Sequence, residues 1–191
     1  MPQRLSARLL MLPLFGLLLT LGGCASGARS TAMVAPVTAE TLIDSASPLH
    51  RAIGVGQTSG GEETNPLWTP EVSTGDFRRA LETSLNLTTM LGPPSAPFTL
   101  DATLEELDQP VITLNFTVTA TIFYRLRANK TGEIVWQERI AAPHTVNFTE
   151  NFVRSERLRL ASEGAVRENI SVFLKQLNAV AKQDPYRFVN L

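Results

Sequence analysis

The sequence predicts an α+β fold, a single antiparallel sheet of about four or five strands with two helices packed on one face. Three observations predict it. Over 112–126 apolar and polar residues alternate without a slip, the mark of a strand buried on one side. Over 73–91 and 155–182 apolar residues recur at helical spacing instead. Of 191 residues, 43% are hydrophobic and 18% charged, enough for one modest core and too little chain for two ordinary domains.

The N-terminus has the three parts of an export signal: Arg4 and Arg8, an apolar stretch over 9–21, then Gly22 and Gly23 before Cys24. As a helix that stretch rises only about 20 Å, short of the roughly 30 Å hydrocarbon core. Pro13 and Gly16 weaken a permanent span further. The expected organisation is a signal peptide over 1–23, an acylated flexible tether over 24–47 and one α+β domain over 48–191. The tether follows from composition: Ala, Ser, Thr, Gly and Pro with few large side chains do not offset their ordering entropy. Extended, it reaches about 60 to 70 Å. Loss of Arg4 and Arg8 with the signal takes the formal charge from -1 to -3.

The elements follow in order. His50-Arg51-Ala52-Ile53-Gly54-Val55-Gly56 reads as a short first strand whose glycines permit close backbone approach. Ser59-Gly60-Gly61-Glu62-Glu63-Thr64-Asn65-Pro66 is loop chemistry. It lacks the G-x-x-x-x-G-K-S/T order and carries two acids, so it is no phosphate cradle. Ser73 or Thr74 caps a helix with Asp76 in its first turn and Phe77, Ala80, Leu81, Leu85 and Leu91 as its apolar stripe. Gly92-Pro93-Pro94 bars its continuation.

Phe98 to Leu104 then alternates, apolar on even positions. After Pro110 comes the long strand, with Ile112, Leu114, Phe116, Val118, Ala120, Ile122, Tyr124 and Leu126 on one face and a threonine-rich, wettable second face. Asn129-Lys130-Thr131-Gly132 is a hairpin turn. The chain returns with Ile134, Trp136, Glu138 and Ile140 on one face. Pro143 is expected to break this strand, leaving Val146 and Phe148 for a further short one. The last helix carries Leu158, Ala161, Ala165, Phe173, Leu177 and Val180 and stops at Asp184-Pro185. Gly164 within it costs about 1 kcal/mol relative to alanine, so a close crossing is expected there.

No residue cluster announces a reaction, and no catalytic or metal-ligating set is expected. His50 and His144 are the only histidines and lie in no H-x-x-x-H or H-E-x-x-H pattern. No serine lies in G-x-S-x-G, so a hydrolase would have to assemble its parts from unmarked loops. Glu105, Glu106 and Asp108 read as a solvated surface rather than an acid–base pair. One cysteine excludes an internal disulfide and a thiolate-rich zinc cage. The near-neutral charge lacks the basic field that grips nucleic acid. Trp136 reads as core, whereas Trp68, between Pro66 and Pro70, is a candidate partner contact.

Leu21-Gly22-Gly23-Cys24 resembles the lipobox of bacterial lipoproteins. The resemblance implies that the Cys24 sulfur receives a diacylglyceryl group, that the signal is cut before it, and that the new amino terminus is acylated. Several acyl chains hold a soluble domain where one gives only marginal binding. Ala25 and Ser26, in place of an Asp, favour the outer membrane. The layout further resembles the small Gram-negative envelope lipoproteins of the YajG type and the auxiliary lipoproteins of ABC-type transport systems. That resemblance rests on the lipobox, Phe77-Arg78-Arg79-Ala80-Leu81, the Thr-rich strand through Tyr124, Thr131-Gly132, and the run from Glu163 to Ile170. It implies a non-enzymatic, periplasm-facing accessory protein. Its partners would be the membrane and an envelope protein, and its only cofactor-like group the covalent lipid on Cys24. A carrier of a lipid or apolar ligand, with a cavity between helices and sheet, is the alternative.

Overall fold

The computed structural model describes residues 27–61, 71–109 and 115–189. Its elements are β1 (Ile53–Ser59), α1 (Thr74–Leu87), β2 (Phe98–Asp108), β3 (Phe116–Ala128), β4 (Ile134–Val146) and α2 (Arg154–Gln183), with single 3-10 turns at Ser30–Met33 and Pro185–Phe188. The signal segment and the first residues of the expected long strand, Ile112 and Leu114, lie outside the described residues.

The four strands form one sheet in the order β1-β2-β3-β4. β2, β3 and β4 are antiparallel neighbours, but β1 runs parallel to β2, so the sheet is mixed rather than antiparallel throughout. The reason is the helix between them. A crossover through α1 carries the chain back to the end where β1 started, and the next strand must then run the same way. Ser73 caps α1, its Oγ accepting from the Asp76 amide at 3.1 Å. The helix ends at Leu87, ahead of the prolines, because Thr89 takes a left-handed φ of 62°.

β3 keeps its period to the end: Phe116, Val118, Ala120, Ile122, Tyr124, Leu126 and Ala128 are all buried, and the residues between them are not. Both helices cover this face. Each large apolar side chain buried there contributes about 1.5 to 3 kcal/mol. At the centre Tyr124 stacks on Phe173 of α2, centroids 4.2 Å apart, with Trp136 tilted against the same ring. Trp136 is core as expected, but its expected companion Ile134 is exposed, because a register shift between Leu126 and Arg127 turns Val135 inward instead. β4 does not break at Pro143 and includes Val146, so the expected extra strand is absorbed into it. Proline is tolerated because β4 is an edge strand whose outward positions need no donor. Gly164 meets the sheet where expected: a Cβ there would collide with the His144 ring.

The expected tether is corrected from Ala28 onward. Residues 28–52 form a strap laid between α1 and α2, with Met33, Ala35, Ile43 and Leu49 buried in the common core. Those four side chains were outweighed in the composition by small and polar neighbours. What holds the strap is supplied by both helices: the Ala35 amide donates to Ser84 Oγ (3.0 Å), and Asn178 Nδ2 donates to the carbonyls of Glu40 (2.7 Å) and Leu42 (3.1 Å). An irregular segment can be buried only if its backbone groups find such partners.

Candidate functional site

Both residues singled out from the sequence, Cys24 and Trp68, lie outside the described residues. What the fold fixes is where the chain leading from Cys24 joins the domain. The Ala28 amide donates to the Glu71 carbonyl just ahead of α1 (3.1 Å). The Arg29 amide donates to Glu163 Oε1 on α2 (2.9 Å). The first contact is at the end of the molecule where β1 and β2 finish, β3 starts and both helices begin, and the second is about two and a half turns into α2 from that end. The opposite end holds the β3–β4 turn and the last turns of the helices.

Glu163 is 2% exposed at its side chain, and Arg159, itself paired with Glu156 at 2.6 Å, forms an ion pair with it. The pair and the Arg29 amide satisfy one carboxylate oxygen. The other, Oε2, has no hydrogen-bond partner. Removing one member of such a buried pair costs more than the pair contributes, because the remaining charge is left in low dielectric.

The same end carries a feature missed in the sequence. Phe152 is 74% exposed, Val153 56% and Phe148 40%, and the two phenylalanine rings meet edge to face with centroids 5.2 Å apart. Arg157 lies over Phe148 at 5.1 Å and over Phe116 at 5.2 Å, and Arg154 lies over Phe116 at 5.5 Å. The available signal was the run Asn147-Phe148-Thr149-Glu150-Asn151-Phe152-Val153-Arg154. It holds three large apolar residues among polar ones, too few to set the period of a strand or a helix.

The sheet edges differ. β1 carries a bulge between Val55 and Thr58, and the Arg78 guanidinium of α1 closes it by donating to the carbonyls of Gly56 (2.6 Å) and Val55 (3.0 Å). β4 is 13 residues long, and no described strand pairs with its outer edge.

The structure does not bring the candidate chemical groups together. His50 lies before β1, at the end where α1 finishes; His144 lies towards the far end of β4, against α2. Burial and the Arg167 charge hold His144 below its ordinary pKa of 6.5. Glu105, Glu106 and Asp108 are exposed on β2, as expected, and Glu105 takes a two-point hydrogen bond from Arg139 (2.6 and 3.0 Å), which raises the arginine further. Burial likewise pushes Tyr124 well above the usual phenol range, leaving its hydroxyl a fixed donor to Asn169 Oδ1 at 2.9 Å. Among the described residues no group of three or more His, Cys, Asp or Glu is placed to hold a metal. None of the described helices is long and apolar enough to cross a membrane. The space between the two helices holds the strap, with Met33, Ala35, Ile43 and Leu49 in the common core. A shallow depression of about 250 Å³ borders Gly60, Val72 and Leu104 to Leu107.

No family model matches the sequence, and no curated protein matches it. Solved structures do resemble the fold. Protein XCC0632 from Xanthomonas campestris, described under the family model DUF330, superposes with a TM-score of 0.59 at 10% identity, covering 84% of this chain and 99% of that one. The hypothetical protein CT253 from Chlamydia trachomatis gives 0.49 at 12% identity, over 68% of this chain and 96% of its own. A candidate lipoprotein from Caulobacter crescentus gives 0.48 at 13% identity, over 70% and 93%. These likenesses concern the fold. They do not single out the YajG type or the transport-auxiliary type.

Proposed function

We propose that this chain is a lipid-anchored envelope protein of a Gram-negative bacterium, acylated at Cys24, held at the periplasmic face of the outer membrane, and acting by protein contact rather than catalysis. The observation that carries the reading is the lone cysteine in Leu21-Gly22-Gly23-Cys24, four residues before the chain enters its folded domain. An export signal placed directly against a packed strap is cut where a soluble module can start.

The contact element is the bare edge of β4, which offers backbone donors and acceptors to an added strand. The accessory role in an envelope transport or assembly system belongs to this reading. Intact-mass analysis of the exported protein tests the anchor: three acyl chains on a polypeptide beginning at Cys24 are expected, and Cys24→Ser should release the domain from membranes. An unacylated mature chain refutes it. Photo-crosslinking from Thr145 on the edge strand in native envelopes tests the contact, with one reproducible protein adduct as the expected result. Recovery of the protein alone refutes the contact and leaves the anchor standing.

A further inference from the structure

Ala28 follows Cys24 by four positions, and four chain steps span at most about 14 Å. With Cys24 acylated, as proposed above and as this inference requires, Ala28 therefore lies close to the lipid headgroups. The domain cannot stand clear of the bilayer, as the expected tether would have allowed.

The surface brought down with Ala28 is not ordinary. Arg29 binds Glu163, nine residues into α2, which is about 14 Å along the axis from Arg154. Just before Arg154 lie the exposed rings of Phe148 and Phe152 with Val153. Other exposed apolar residues, Tyr186 and Val189, follow the opposite end of α2, whose 30 residues extend about 45 Å. Of the two ends of α2, the Phe148–Phe152 end is the nearer to Arg29 along the helix axis.

We infer that Phe148, Phe152 and Val153 rest on the phospholipid surface of the membrane that holds the acyl chains. Exposed aromatic rings suit the headgroup layer, where the ring takes the apolar side of the interface. Of the acids near this end, Glu150 accepts from the Asn147 amide at 2.9 Å and Glu156 pairs with Arg159, while Glu106 and Asp108 are exposed at the end of β2. The inserted rings would add to the acyl chains and fix the domain's orientation, presenting the β4 edge sideways along the membrane.

Because Cys24 is consumed by lipid, one engineered cysteine can be labelled alone. Full-length acylated Phe152→Cys, carrying an environment-sensitive fluorophore, is reconstituted in vesicles of phosphatidylethanolamine and phosphatidylglycerol; Lys130→Cys, in the β3–β4 turn at the far end, is the control. The expected result is a blue-shifted emission at position 152, quenched by lipids with headgroup nitroxides, while position 130 stays water-like and unquenched. If the protein floats with the vesicles but both labels report water, this inference is overturned and the anchor survives. If intact mass shows no acyl chains, the anchoring reading fails first and removes the reach on which this one depends.

Discussion

The two helices cover the same face of the same sheet in different ways. α1 buries Phe77, Ala80, Leu81 and Leu85 with a single polar companion, Ser84. α2 buries Arg157, Arg159, Ser162, Glu163, Asn169, Ser171 and Asn178 among its apolar residues. The difference lies in what each must satisfy. α2 lies over β3 and β4 on one side and borders the strap on the other, and an irregular strand of chain brings backbone groups that need partners. Glu163, Arg167 and Asn178 bind Arg29, Ala32, Glu40 and Leu42 of the strap. Asn169 faces inward, donating to the carbonyls of Ala120 (2.8 Å) and Ile140 (2.7 Å) while accepting from Tyr124. A helix whose buried side is polar is thus a record of non-helical neighbours.

Substitutions break this contrast in graded steps. Gly164→Leu is expected to cost the most, about 3 kcal/mol or more, since the side chain would enter the space of the His144 ring. Thermal denaturation reads it as a lowered Tm, whereas the exposed Gly132→Ala of the turn tests only its positive φ. Next, Asn169→Leu leaves the Tyr124 hydroxyl and two carbonyls short of partners and should cost about 2 to 3 kcal/mol. Adding Tyr124→Phe should recover part of that loss in urea unfolding; strict additivity would disprove the coupling. Asn178→Ala should cost about 1 kcal/mol and, unlike Ser84→Ala on α1, open the strap near Leu42 to limited proteolysis. Equal cleavage in the two variants would erase the distinction between the helices.

The smallest effect is a pH dependence. His144 has a folded-state pKa below 6.5, so the unfolded chain takes up the proton more readily. Its contribution is therefore absent at high pH and destabilises progressively as pH falls from about 6.5 through the folded value. His144→Gln should flatten that part of the stability profile, measured by denaturant titration at several pH values. A profile unchanged by the substitution would show that other groups set it. Arg167 lowers the His144 pKa while Glu168 and Glu150 raise it, so Arg167→Gln should weaken the effect.

The apolar periodicity made most of this legible. β3, α1 with its Ser73 cap, the hairpin turn, the buried Trp136 and the close approach at Gly164 are all local patterns with one structural answer. The parallel pairing of β1 was legible too, in the succession strand, helix, strand, but the strength of the antiparallel hairpin signal drew the whole sheet with it. The strap was not legible from its own composition, because Met33, Ile43 and Leu49 are sparse and have no period. Its sign was displaced onto α2, where Glu163 and Asn178 stand on the inner face as polar residues whose partners are in the strap. Phe148 falls in an expected short strand and Phe152 in no expected element, and only their meeting beside Arg157 makes a surface.

The strap also orders events in time. Arg29 and Glu163 are 134 positions apart, and Asn178 reaches back 138 positions to Glu40. Whichever machinery delivers this polypeptide from its N-terminus, the first piece of the domain to emerge has to wait for nearly the last before its buried groups are matched. Such remote pairings slow folding and forbid a finished core on a partial chain. The molecule therefore stays threadable until its final helix is released, and closes only once the whole of it has arrived.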